Sequence, residues 1–190
     1  SEENTKFLLS IKDCLGLNCA YVTDIDKRGV ITFEDEEGIY RFQVGYAPYI
    51  VEQKITEDDV ETEEDIVSLA IADPSQLDIK ELLYAASLIE DNSIKKTIYN
   101  TVSKSFPNDY RAYNNLAGIY IKEKNMNKAI DMLGKASKYN ANAPEVNENK
   151  GIIAAIEGDY DKAASLYNSS NASDINKGIL AIKTGDYSSA

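Results

Sequence analysis

At 190 residues and 43% hydrophobic content the chain has room for one or two domains and a sizeable core. Its formal net charge of −12 sets it against a nucleic-acid partner, since a phosphate backbone is bound by basic surface. It contains no His, which excludes a His-based triad and a His-containing zinc site, and its two cysteines are too few for a four-ligand structural metal site. Residues 1–65 carry 17 acids against 6 bases, whereas 66–190 carry 15 against 14, so the acidity belongs to the front of the chain. No apolar run approaches the length of a membrane span, and Ser1 does not open a signal-peptide pattern.

Asn4 or Thr5 can cap a first helix whose apolar face is Phe7, Leu8, Ile11, Cys14 and Leu15, with Gly16 at its end. Cys14 and Cys19 read as a buried thiol pair in a reducing compartment, or as a short disulfide loop in an exported protein. AYVTDI, VITFED and IYRFQVGY, separated by Asp26-Lys27-Arg28-Gly29 and Glu36-Glu37-Gly38, read as a three-stranded meander. Ile31 and Phe33 alternate against Thr32; Tyr40, Phe42 and Val44 alternate against Arg41 and Gln43. Pro48 stops the run, and Tyr49-Ile50-Val51 is a candidate fourth strand. Residues 1–56 thus form a small α+β module, helix plus meander.

Residues 57–77 follow as an acidic linker with a short helix. Glu57–Asp65 holds seven acids in nine residues, a solvated stretch that places negative charge before the helix expected at Ile66–Ala72. It lacks the Asp-x-Asp-x-Asp-Gly spacing of an EF-hand loop. Asp73-Pro74 breaks the helix, and Ser75-x-x-Asp78 resembles a capping box opening a helix at Asp78–Glu90. Ile94, Ile98, Val102 and Phe106 stripe the next helix at spacing four.

The centre of the chain is a helical hairpin. Tyr113, Leu116, Ala117 and Tyr120 mark the apolar face of its first helix; Met126, Ala129, Leu133 and Ala136 mark that of its second. A shift of 34 residues superposes Ala117 on Gly151, Lys124 on Gly158, Met126 on Tyr160, Ala129 on Ala163 and Leu133 on Tyr167. The reverse shift puts Leu116 on Leu82 and Leu133 on Tyr99. Lys150-Gly151-Ile152 and Gly158-Asp159-Tyr160 recur 27 residues later, in a shortened unit. Pro144 suits a first helical position. This period and its small-large-aromatic pattern are the signature of tetratricopeptide (TPR) repeats. The expected fold class is mainly α, TPR-type helix–turn–helix repeats (an α-solenoid) over 78–190, about three and a half units, behind the α+β module. In the last unit Ile175, Ile179, Leu180 and Ile182 lack an evident covering helix, which predicts a fraying end or self-association through the uncapped repeat.

Residues 82–133 resemble the TPR region of OmpA-like envelope proteins of Bacteroidetes-type bacteria, most specifically in ELLYAA at 81–86 and FPNDYRAYNNLA at 106–117. Pro144-Glu145-Val146-Asn147 and the shortened later unit extend the resemblance over about 78–190. It implies a periplasmic or outer-membrane location. It does not reach residues 1–60, where the Asn-x-x-Leu-Ser-x-x-Arg-type helix of peptidoglycan-binding domains is not found, so that activity transfers to no residue here.

TPR arrays bind partners on the surface lined by the first helix of each unit. Arg111, Asn114 and Asn115 occupy outward positions there, and Asn149 and Asn176 repeat the position of Asn115. A carboxamide donates and accepts together, so such a set suits the backbone of an extended peptide. Arg111 and Asn115 are expected to face an open groove, where their joint loss weakens capture without lowering stability. The function expected is a non-catalytic interaction scaffold of the cell envelope, binding a peptide or protein, with no metal, cofactor or catalytic residue. Thirteen tyrosines leave a surface glycan-binding module as an alternative, although Tyr113, Tyr120, Tyr160 and Tyr187 fall at core positions. A cytosolic TPR adaptor is the other.

Overall fold

Three short strands and eight α-helices are seen in a computed structural model, which describes residues 21–25, 30–34, 39–43, 45–51 and 63–185. The expected first helix, Cys14 and Cys19, the acidic residues 57–62 and Tyr187 lie outside the described residues. Chain contacts divide the molecule into two units. Residues 1–47 and 151–190 form one (unit 1), and residues 48–150 the other (unit 2).

Unit 2 holds helices α1 (Glu63–Ala72), α2 (Ile79–Leu88), α3 (Asn92–Ser105), α4 (Tyr110–Lys122) and α5 (Met126–Tyr139), and the start of α6 (Pro144–Glu157). From α1 to α5 each helix packs on the next. The starts of α2 to α5 are set by side-chain caps that satisfy otherwise orphaned backbone N–H groups. Asp91 accepts from Ser93 and Ile94, Asp109 from Arg111, and Asn125 from Lys128. The cap of α2 differs from the expected one. Asp78 accepts from the Glu81 N–H at 2.9 Å while Glu81 accepts from the Asp78 N–H at 2.7 Å. Ser75 donates to Asp73 instead, because Pro74–Gln76 forms its own 3-10 turn.

A core of Ile66, Ala70, Leu82, Leu83, Ala85, Ala86, Ile98, Tyr99, Val102, Ala112, Leu116 and Ile119 joins α1 to α4. In α3 the buried set is Ile98, Tyr99 and Val102, while Ile94 is exposed. A stripe at spacing four rotates about 40° per step around a 3.6-residue helix, so it drifts off the buried face, and Tyr99 fills the place. In the central hairpin Ala129, Leu133 and Ala136 are buried against α4, as the small-large pattern predicts. Lys124, in the turn between α4 and α5, has φ of 59°, a left-handed conformation that favours glycine.

Unit 1 holds an antiparallel meander, β1 (Tyr21–Ile25), β2 (Val30–Glu34) and β3 (Ile39–Gln43), in that order. Ile31 pairs with Phe42 and Phe33 with Tyr40, so apolar positions lie opposite one another. The register shifts between Val22 and Asp24. Thr32 is buried as well as Ile31, so the middle strand is covered on both faces there rather than alternating buried with solvated.

Unit 1 also holds the end of α6, α7 (Tyr160–Ser170) and α8 (Asp174–Thr184), the last two packed on each other. Gly151 provides close approach, since a Cβ there would strike Tyr167 Cε1 and lie 2.7 Å from Cδ1. The turn before α7 places Gly158 at φ of 87°. Of the apolar stripe expected to lack a covering helix, Ile179, Leu180 and Ile182 are buried and Ile175 is half-buried. The observed architecture is mainly helical, a succession of helix–turn–helix repeats with a small β-meander.

Candidate functional site

Residues 45–51, Gly-Tyr-Ala-Pro-Tyr-Ile-Val, belong to no sheet. The candidate fourth strand is instead held by asparagine side chains. In unit 2, Asn149 Oδ1 accepts from the Tyr49 N–H at 2.9 Å, and Asn149 Nδ2 donates to the Tyr49 carbonyl at 2.9 Å. Asn114 Nδ2 donates to the same carbonyl at 3.1 Å. Asn115 Oδ1 accepts from the Val51 N–H at 2.8 Å, and Asn115 Nδ2 donates to the Val51 carbonyl at 3.0 Å. The amides are also linked to one another. Asn149 Nδ2 donates to Asn114 Oδ1 at 3.0 Å, and Asn114 Nδ2 to Asn115 Oδ1 at 3.4 Å.

Within unit 1 the pattern recurs. Asn176 Oδ1 accepts from the Ala47 N–H at 2.9 Å, and Asn176 Nδ2 donates to the Ala47 carbonyl at 3.0 Å.

The chemistry follows from the shape of an extended chain. Each residue presents its N–H and C=O on the same edge, and successive residues alternate edges. One carboxamide, with an acceptor and a donor on adjacent atoms, matches the N–H and C=O of one residue. The held residues are therefore alternate ones: 47, 49 and 51. Pro48, which has no N–H, sits where none is used. All four asparagines are 0% exposed. Buried amides are stable only when bonded, so each grip is needed by the helix as much as by the segment. The expectation that Asn115 faces an open groove is thereby corrected: it is buried and bonded to Val51.

Asn114 and Asn115 are carried by α4 and Asn149 by α6; Asn176 is carried by α8 in unit 1. Arg111 is also on α4, and its guanidinium folds back on the helix cap, with Nη2 2.8 Å from Asp109 Oδ2 and Nε 3.0 Å from Oδ1. Burial raises the Asp109 pKa, but the Arg111 hydrogen bond, the backbone N–H it caps and the Arg111 charge outweigh that and hold it below the ordinary value. One turn beyond Asn114, Gly118 faces the segment: a Cβ there would strike Ile50 Cδ1 and lie 3.5 Å from Pro48 Cβ.

Sequence reasoning missed both the segment at 45–51 and Gly118. A glycine inside a helix, destabilising by roughly 0.5–1 kcal/mol relative to Ala, was the one available signal of a close approach. Nearby, Tyr110 Oη donates to Glu145, and burial followed by that carboxylate raises the Tyr110 pKa. In unit 1 burial, then the neighbouring Tyr160, pushes Tyr46 up to about 12. Among the described residues no helix is long and apolar enough to cross a membrane, and no group of His, Cys, Asp and Glu is placed to hold a metal.

No family model, curated protein or solved structure matches the chain in comparisons with known proteins.

Proposed function

We propose that this protein is a non-catalytic, TPR-type scaffold of the bacterial cell envelope that holds extended polypeptide by its backbone. The observation that carries the reading is the pairing of one buried asparagine with both backbone groups of one residue, made by Asn149 on Tyr49 and by Asn115 on Val51. Such a pairing reads chain conformation rather than side-chain charge. It is a helix-borne counterpart of strand addition at a sheet edge. The chain's own segment is the occupant seen, and a partner segment of the same conformation uses the same groups. The envelope location rests on the resemblance of residues 78–190, and fractionation of the native protein into the cytosol would overturn it.

The binding test uses the full chain with Tyr49→Pro and Val51→Pro, which removes the two N–H donors and loosens the internal occupant. A synthetic peptide of residues 45–52 should bind this variant. The same peptide N-methylated at the Tyr49 and Val51 nitrogens should bind about tenfold or more weakly, since both donors are lost while every side chain stays. Equal binding of the two peptides would show that the asparagines do not grip backbone.

A further inference from the structure

We infer that the site in unit 2 is also sequence-selective, that Gly118 is its specificity-determining residue, and that its ligand class is an extended segment with proline followed, two residues on, by a branched aliphatic side chain. The inference rests on the backbone-gripping reading and adds what that reading lacks, a reason for one sequence to be preferred to another.

Side chains along an extended chain alternate faces. With Tyr49 and Val51 held through their backbones, the side chains of Pro48 and Ile50 share one face of the segment. Pro48 and Ile50 are half-buried, while Tyr49, on the other face, is 48% exposed and carries little selectivity. The end of the Ile50 side chain occupies space that a Cβ at residue 118 would contest: an added one would strike Cδ1 and lie 3.6 Å from Cγ1. Asn114 and Gly118 are one turn apart on α4, so the amide that holds the Tyr49 carbonyl and the notch that admits Ile50 lie on one helix face. The grip thus fixes the register in which the residue after Tyr49 is offered to the notch.

Each ligand position then has a stated requirement. The two gripped residues need an N–H, so proline is excluded from both. The residue before the first gripped one uses no N–H at the asparagines, and proline there stiffens the chain in an extended conformation. The residue between the two grips meets the notch at Gly118. There an aliphatic side chain gains from burial, alanine leaves it unfilled, and aspartate loses hydration without gaining a partner.

The test uses the Tyr49→Pro, Val51→Pro full chain and three peptides of residues 45–52: the native sequence, Ile50→Ala and Ile50→Asp. Fluorescence anisotropy should rank the native peptide about tenfold tighter than the alanine peptide, and the aspartate peptide weakest. Adding Gly118→Val should remove the preference for isoleucine while leaving the alanine peptide within about threefold of its former affinity. Gly118→Ala, a smaller intrusion on the flexible end of Ile50, should shrink the preference in the same direction and serves if the valine variant does not fold. Equal affinity for all three peptides, with binding still lost on N-methylation, would overturn the role of Gly118 and leave the backbone grip intact. Binding of none of them would overturn both.

Discussion

Within unit 2 the α4–α5 hairpin and the segment at Tyr49–Val51 are held by opposite kinds of force. The hairpin is joined by apolar burial, with Ala117 on α4 and Ala129, Leu133 and Ala136 on α5 all buried. The segment is joined by buried amides, with Asn149 and Asn115 matched atom for atom to backbone groups. Burial is non-directional, so it accepts any side chain of suitable size. A buried amide is directional, and the cost of leaving one group unpaired exceeds the net gain from pairing it. The hairpin therefore depends on volume, and the grip on chemical identity.

That contrast is open to direct attack. Leu133→Ala should destabilise by about 2–5 kcal/mol through the cavity it leaves, whereas Leu133→Met should cost less than about 1.5 kcal/mol. Overpacking by Ala129→Leu should cost about 1–3 kcal/mol, with Lys128→Leu near neutral. Urea denaturation measures all four. Equal midpoints for the Ala129 and Lys128 variants would remove the claim that volume rules the hairpin.

The grip should behave differently. Asn115→Leu, similar in size, should cost about 1–3 kcal/mol because the Val51 N–H and carbonyl lose their partners. Asn115→Asp should do no better at neutral pH, since a carboxylate cannot donate to the Val51 carbonyl and lies against it. Should the aspartate variant match wild type in the same denaturation series, identity would not be what the grip requires.

A smaller, pH-dependent effect belongs to Asp109. Its pKa is below its ordinary 3.8 in the folded protein. The stability it contributes is present above the unfolded value and is lost as pH falls through the folded one. Asp109→Asn keeps a capping side chain but not the charge, so it should change stability by about 1 kcal/mol or less at pH 7. It should also flatten the acid limb below about pH 4. An unchanged acid limb in a pH series of thermal melts would detach Arg111 and Asp109 from this account.

The smallest effect is expected at Lys124, at φ of 59°. Lys124→Gly should raise stability by up to about 1 kcal/mol, because glycine adopts that conformation without a Cβ clash. A drop in melting temperature would mean that the side chain makes a contact worth more than the relieved backbone.

The repeat was legible because helices leave a periodic trace. The small residues of the central hairpin and the match of Leu133 with Tyr99 and Tyr167 are local in sequence. Even Lys124 and Gly158, superposed by the repeat, prove to share left-handed backbone. The three strands were legible for the same reason, at a period of two. Asn114, Asn115, Asn149 and Asn176 could be selected as a set, and a carboxamide's capacity to hold backbone follows from its atoms alone. What occupies them could not be read, because backbone N–H and C=O groups are the same in every residue and carry no sequence signal. That Tyr49 and Val51 are the held residues, that buried amides replace an open groove, and that Gly118 is empty for Ile50 are decided only when segments distant in sequence meet. A hydrogen bond or a missing Cβ acquires its meaning from the atom across the gap, and only the tertiary structure supplies that atom.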